Sequence, residues 1–294
     1  MKPKMNVKAI MLAEGIRPSP LDLQVGIRAP LLPVRSDSRL IDEWSRVLNA
    51  EGFVESPIEV VMASRAGFQS MESIANDPRY DRTIEPRSHR GTSGVLADLQ
   101  RGEFEDSAYD YLIVIESGSC PPPSLRGFSE AMEAGGDVIL GASEIDRFAG
   151  VLALKPKTLA VVPDRGYQDF KEQSIPKMLE AGNSLSAVPI IPRAIRVRTL
   201  ETWLEAIRSV ATGEDSPPAH VAGTHLEGCC CVADTAVIDG GLIHDSIVMD
   251  GAVVEEGAIV ARSAVLPGQR ITRNARVIDS IVGMGRTFSL GGPA

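Results

Sequence analysis

Apolar and polar positions along this chain fall into two rhythms. In the first, short apolar runs alternate with helical patterns. Residues 9–13, 58–62, 110–115 and 137–142 read as strands, and the near-continuous apolar character of the early runs is that of strands buried on both faces of a sheet. Between the first two, Leu40, Ile41, Trp44, Val47 and Leu48 recur at three- and four-residue steps and predict an amphipathic helix. A further helix is expected over residues 124–134, where Leu125, Phe128 and Met132 share a face. Alternation of this kind predicts an α/β domain with a mainly parallel sheet covered by helices.

The second rhythm is shorter and stricter. Ile247, Val253, Ile259, Val265, Ile271 and Val277 recur at a six-residue step, with Gly251, Gly257 and Ser263 two places before three of them. Such hexapeptide repeats build a left-handed parallel β-helix, in which each turn stacks its apolar positions on the next. The stretch has room for about three coils, near the minimum for stability. A homo- or hetero-oligomer formed through the β-helix is therefore expected. Gly213, Glu214, Asp215, Pro217 and Pro218 mark a linker between the rhythms. The expected organisation is an α/β domain over residues 1–210, a linker at 211–222, a β-helix over 223–285 and a tail at 286–294.

Charge and composition narrow the functional classes. The formal net charge is −9, which argues against general affinity for nucleic acid or anionic membrane. No apolar run approaches the roughly 20 residues of a membrane span. Residues 7–13 are too short, and too closely followed by Glu14, to read as a signal peptide, so a cytoplasmic chain is expected. The four cysteines, Cys120 and the run Cys229, Cys230 and Cys231, lack the spacing of a zinc site or a disulfide framework. The run reads as small apolar residues on a strand.

Three stretches carry candidate chemistry. After the first strand, Leu12 and Ala13 lead into a loop broken by Gly15, Pro18 and Pro20, and Leu31, Leu32, Pro33 and Val34 close it before the helix. Strand, loop and helix in this order make the layout of a phosphate-binding turn in an open parallel sheet. Second, Arg90, Gly91, Thr92, Ser93 and Gly94 form a tight turn feeding a helix, with Thr92 or Ser93 as its N-cap. Third, the run ending at Ile115 is followed by Glu116 and Ser117. Lys177 is expected on a solvated helix face. His244 opens the regular repeat and His225 precedes it; either would have to serve an acyltransferase, but His244 is expected as an exposed turn residue.

At these residues the chain resembles the sugar-1-phosphate nucleotidyltransferases. Their opening reads roughly LAGGxGTRLxPLT…PKPLLPV, and Leu12, Ala13, Gly15, Pro20, Leu21 and residues 30–34 match it. The turn at Arg90, Gly91 and Thr92 resembles the family's base-binding Gly-Thr-Ala-Gly segment. Phe148, Ala149, Gly150 and Val151 resemble its Ala-Gly-Ile-Tyr strand, and many members carry a hexapeptide tail. The resemblance implies a Rossmann-like, GT-A-like fold and a reaction joining a nucleoside triphosphate to a sugar 1-phosphate with release of pyrophosphate. It implies a nucleotide site at Leu12, Ala13, Gly15, Arg90, Gly91 and Thr92.

The same resemblance exposes departures. Glu14 replaces a glycine, and the Gly-Thr-Arg that grips the triphosphate is missing. Ala29 stands at the family's lysine. Ser117 and Arg196 stand at the two Mg²⁺-binding aspartates, and arginine repels the metal. The family's sugar-contacting excursion before Phe148 is short or absent, with residues 144–147 leading straight on. The expectation is a catalytically degenerate member acting as a binding or regulatory subunit, with no metal or cofactor and with a nucleotide or sugar nucleotide as ligand. The alternative is an active transferase with a rearranged site built from Arg17, Arg28 and Glu116, which would need Mg²⁺.

Overall fold

The computed structural model describes residues 5–13, 19–53, 56–63, 70–102, 104, 109–143, 148–190, 194–211, 225–283 and 286–289. In chain order its first part contains β1 (Val7–Leu12), α1 (Pro20–Val25), α2 (Leu40–Ala50), β2 (Ile58–Met62), β3 (Tyr80–Ile84), α3 (Gly91–Gly102), β4 (Tyr111–Glu116), α4 (Arg126–Glu133), β5 (Val138–Ala142), β6 (Val151–Leu154), α5 (Ile175–Glu180), β7 (Leu185–Pro189) and α6 (Leu200–Ala211). Twelve short strands, β8 to β19, follow. The chain divides into two units, one of residues 1–17 and 41–194, the other of residues 18–40 and 195–294.

In the first unit a mixed, parallel-rich sheet has the order β3-β2-β1-β4-β6-β5-β7, with β6 antiparallel to both of its neighbours. The central strands are apolar because helices cover both faces. Val95, Leu96 and Leu99 of α3 pack with Ile10 of β1, Leu112 and Val114 of β4, and Leu152 and Leu154 of β6. The helical pattern from Leu40 to Leu48 forms α2, and all five of its apolar positions are buried. The Trp44 indole donates to the Ser119 carbonyl at 2.6 Å. Lys8 carries a charge into this core: it is 4% exposed, yet its ammonium meets the equally buried Glu59 at 3.2 Å and the Pro57 carbonyl at 3.0 Å, which offsets the loss of water. Residues 143–150 suffice to join the antiparallel neighbours β5 and β6; residues 144–147 lie outside the described set.

The second unit contains the β-helix. Its strands are β8 (His225–Glu227), β9 (Cys231–Val232), β10 (Val237–Ile238), β11 (Leu242–His244), β12 (Ile247–Val248), β13 (Val253–Val254), β14 (Ile259–Ala261), β15 (Ala264–Val265), β16 (Arg270–Ile271), β17 (Arg276–Ile278), β18 (Ser280–Gly283) and β19 (Arg286–Ser289). They form three sheets, parallel throughout except that β19 turns back antiparallel on β18. Val248 lies beside Val265, Ile243 beside Val260 and Val254 beside Ile271, a coil of seventeen residues, whereas Cys231 lies beside Ile247 and Val237 beside Val253, sixteen residues apart, where the first coil meets the second. Two six-residue steps and one five-residue step make that coil. A strict six-residue count from Ile247 therefore slips: Val253 and Ile259 are only half-buried, while their neighbours Val254 and Val260 fill the interior.

The short step falls at one corner. Asp245, Arg262 and Asp279 take left-handed backbone there, with φ of 45°, 46° and 48°. Each is followed by a buried serine. Ser246 Oγ donates to the His244 carbonyl at 2.7 Å and accepts from Ser263 N at 3.1 Å. Ser263 Oγ repeats this with the Ala261 carbonyl and Ser280 N, at 2.7 and 3.1 Å. In the first coil Cys230 takes the serine's part, its thiol facing the Glu227 and Ile243 carbonyls at 3.2 and 3.5 Å. The cysteine run thus turns a corner, and only Cys231 lies on a strand.

Two segments expected in the α/β domain belong to this second unit. The loop after β1 contains α1 where only a breaker-rich loop is expected. Ser19 caps it by accepting from Asp22 N, and Asp22 answers by accepting from Ser19 N. α1 packs against β18. The Trp203 indole of α6 donates to the Pro33 carbonyl at 2.8 Å, and Arg35 donates to the Val210 carbonyl at 2.7 Å. Arg208 of α6 reaches Asp245 at 3.0 Å. Residues 212–224, which hold all of the expected linker but Ala211, and residues 290–294 of the expected tail lie outside the described set.

Ser263→Ala should destabilise the chain by about 1–3 kcal/mol, because it strands the buried Ser280 amide. Val237→Thr, at an exposed position, should change stability by less than about 0.5 kcal/mol. Thermal unfolding followed by circular dichroism separates the two; equal melting temperatures would contradict the serine ladder's role.

Candidate functional site

Strand order reverses between β1 and β4, the place where an open α/β sheet forms a crevice at its carboxyl edge. Leu12 pairs with Glu116 there, Ser117 N donates to the Leu12 carbonyl at 2.9 Å, and Ala13 N donates to the Val61 carbonyl at 2.9 Å. Leu12, Ala13 and Glu116 therefore meet at one edge. Glu116 is half-buried, and its own amide donates to the Gly150 carbonyl at 2.8 Å. Gly15 and Arg17 lie outside the described residues. Arg28 is half-buried in the second unit, just before the 3-10 turn Ala29–Leu31. Ala29 is buried.

α3 connects the parallel strands β3 and β4, so its N-terminus lies at the carboxyl edge and its apolar face rests on β1 and β4. The Arg90, Gly91 and Thr92 turn is thus carried to the same edge as Leu12 and Glu116. The helix begins at Gly91, earlier than a cap at Thr92 or Ser93 requires. Ser93 is instead inside the helix, where its hydroxyl donates to the Gln168 carbonyl at 2.9 Å and shares a hydrogen bond with Ser174 Oγ at 2.6 Å. A side chain at Gly91 would strike the Gln168 carbonyl, since an added Cβ would lie 2.5 Å from its oxygen, and φ there is +72°. The Gly91 amide and Thr92 are left at the helix start.

Arg90 is 4% exposed and its guanidinium is fully engaged. It donates to both Asp98 oxygens at 2.9 and 3.3 Å, to the Pro163 carbonyl at 2.7 Å and to the Gly166 carbonyl. Arg87 also grips Asp98, and Arg101 bridges to Asp164 at 2.9 Å and to the Val162 carbonyl at 2.5 Å. Burial pushes the Asp98 carboxyl up, but hydrogen bonds from Arg90 and Arg87, with their charge, outweigh it and hold the group below the usual carboxylate range. The cluster fixes α3 to residues 162–166. A cleft of about 630 Å³, lined by Gln100, Arg101, Lys157, Leu159 and Pro163, lies at the far end of α3 from the turn. Lys177 donates to Gln168 Oε1 at 3.1 Å, so it is tied to the segment beside the turn.

On the β-helix, His244 sits on strand β11, not on a turn. Its Nδ1 lies 3.6 Å from Glu227 and its Nε2 3.7 Å from Asp245, ion-pair reach without hydrogen bonds. Burial pushes the Asp245 carboxyl up, yet the Cys229 amide and Arg208 pull harder and hold it below the usual range. Burial drives the Cys231 thiol up to about 12, and raises Cys230 as well, so neither is a reactive thiolate at neutral pH. His225 is exposed on β8. Arg196 lies beyond the last strand of the sheet and is half-buried.

The Asp98 cluster was missed at the sequence level, although Arg87, Arg90 and Arg101 around Asp98 at helical spacing were its visible sign. The two carboxylates beside His244 were also missed, because a seventeen-residue coil brings Glu227 and His244 together.

Residues 220–289 match the family model described as GlmU-like, C-terminal hexapeptide. No curated protein matches the chain. Among the described residues, no helix is long and apolar enough to cross a membrane.

Asp98→Asn should cost about 3–5 kcal/mol at neutral pH, since it leaves buried arginines without their counter-charge. The folded carboxyl is depressed, so its stabilisation is complete above the ordinary range near about 4 and fades as pH falls through the folded value. Urea unfolding of both chains across acid pH should show the gap narrowing on acidification. A gap independent of pH would contradict this.

Proposed function

We propose that the chain is a sugar-1-phosphate nucleotidyltransferase-like protein that binds a nucleotide or sugar nucleotide without transferring it, and that serves as a binding or regulatory subunit in the cytoplasm. The observation that carries this is the meeting of Leu12, Ala13 and Glu116 with the start of α3 at the point where strand order reverses. A crevice at that point is where open α/β sheets take their ligands, and a helix N-terminus offers backbone donors to a polar or anionic group. The Thr92 hydroxyl has no hydrogen-bond partner among the described residues, which suits contact with a base or ribose.

Among the described residues, the positions that the resemblance assigns to cations and metal ligands carry side chains that do not match what transfer demands. Two anions must meet in that reaction, and preorganised charge or a metal contributes several kcal/mol to its transition state. Arg90 is spent on Asp98 and on carbonyls. Ser117 and Arg196 stand where the resemblance asks for carboxylates, and Ala29 where it asks for lysine. The GlmU-like repeat fits the same reading, with the β-helix as an assembly element joining copies or an active relative.

A second reading is acyl transfer on the β-helix. His244 flanked by Glu227 and Asp245 is the observation in its favour, since a carboxylate beside Nδ1 can orient an imidazole as a base. Acyl-thioester consumption that His244→Ala abolishes would establish it over the first.

Under the preferred reading, nucleoside mono-, di- and triphosphates bind weakly and alike, with Mg²⁺ or with a chelator. Calorimetric titration of each checks this. A triphosphate that binds tenfold tighter with Mg²⁺, about 1.4 kcal/mol, would establish a working metal site and overturn the reading.

A further inference from the structure

α3 carries the Gly91 turn at one end and a second concave surface at the other. Ala97, Gln100 and Arg101 recur on it at three- and four-residue steps and so share one face. That face forms one wall of the cleft of about 630 Å³. The chain after β6 forms the other, with Lys157 and Leu159 in the 3-10 segment Pro156–Val161 and Asp164 beyond it. The volume lies in the range of small-molecule sites. Ala97, Leu159 and Val162 are buried and supply the apolar lining.

Two polar atoms of the lining residues are hidden from water and lack a hydrogen bond. Gln100 donates from Nε2 to the Phe104 carbonyl at 3.3 Å, while its Oε1 accepts from nothing among the described residues. Arg101 Nη1 lies 2.9 Å from Asp164 and 3.5 Å from Asp98, yet neither contact closes a hydrogen bond. An acceptor and a donor unmatched on consecutive residues leave a cost that a ligand can recover. The Asp164 side chain is 75% exposed, so its pair with Arg101 is worth little and an anion displaces it cheaply. Lys157 can be spared as well. Its ammonium lies 3.2 Å from Asp137, but Asp137 already accepts from the Ser184 amide and hydroxyl and from Lys155.

We propose that this cleft binds a small hydroxylated anion, a sugar phosphate or a sugar acid. Its anionic oxygens replace Asp164 on Arg101 and meet Lys157. A hydroxyl donates to Gln100 Oε1, and the carbon face of the ligand rests on Leu159 and Val162. A bare anion does not suffice, because the cleft adjoins the last turn of α3, where the helix dipole is negative and favours donors. A neutral sugar does not suffice either, because it leaves the two cations without a counter-charge. The site lies at the opposite end of α3 from the crevice at Leu12 and Glu116, and the inference is independent of the nucleotide reading.

The amides of Ala97 and Ala160, on the two walls of the cleft, report occupancy by their chemical shifts in the full chain. Titration with glucose 6-phosphate and with gluconate should move both amides with at least one of the two probes, and which one tells whether the anion is a phosphate or a carboxylate. That probe should bind at least about tenfold tighter than glucose or inorganic phosphate, each of which carries only half of the chemistry. Gln100→Leu and Lys157→Gln should each weaken it by about threefold to tenfold. Circular dichroism of both variants checks that they remain folded. Three outcomes would overturn the proposal: amides that no probe moves at about 50 mM, inorganic phosphate that binds as tightly as either larger anion, or an affinity that neither substitution lowers.

Discussion

A polar atom taken out of water must find a partner, and one such requirement organises each unit of this chain. In the α/β unit the atom group is the Asp98 carboxylate. Its neutralisation by Arg87 and Arg90 anchors α3 to residues 162–166, and that anchoring carries the Gly91 turn to the carboxyl edge beside Leu12 and Glu116. In the β-helix unit the groups are the amides at one corner. Serine hydroxyls satisfy them coil after coil, and the left-handed residue before each serine shortens one step of the repeat from six residues to five.

The corner also accounts for residues that look anomalous in isolation. Aspartate tolerates left-handed backbone better than most side chains, which suits Asp245 and Asp279. Arginine at 262 does not share that tolerance, but it lies one coil below Asp279 and pairs with it at 2.6 and 2.8 Å. Asp245 is held by Arg208, which ties α6 to the coils. Outward residues of the third sheet, Ile247, Ala264 and Ile281, are buried as deeply as the interior ones, and α1 packs against that sheet at β18. Assignment of residues 18–40 and α6 to the β-helix unit follows from these contacts.

Much of this was legible in the sequence. The apolar runs at 58–62 and 110–115 and the helical pattern from Leu40 to Leu48 gave their elements nearly residue for residue, because deep burial on both faces leaves an unbroken signal. The repeat was legible as a period and not as a register. Ile247, Val253 and Ile259 belong to the repeat, but a corner with one residue fewer shifts the inward position, and apolar neighbours at 247–248, 253–254 and 259–260 hide the shift. α1 was hidden by the breakers around it, since Pro18 and Pro20 read as loop; the Ser19 and Asp22 capping pair was the local sign. That Leu12, Ala13, Glu116 and the Gly91 turn share one edge of the sheet follows from the strand-loop-helix order, but the contacts made there were not legible. Arg90 looked like a ligand for a nucleotide because its demand from Asp98 arises only when helix and loop fold together.

The central claim is that the edge formed by Leu12, Glu116 and the start of α3 holds a nucleotide and does not transfer it. Pyrophosphate release, measured with Mg²⁺ across the common nucleoside triphosphates and sugar 1-phosphates, tests this most directly. The account predicts release no faster than without the protein for every pair. Sustained release from any pair, abolished by Glu116→Ala, would contradict it and make Glu116 part of a working transferase site.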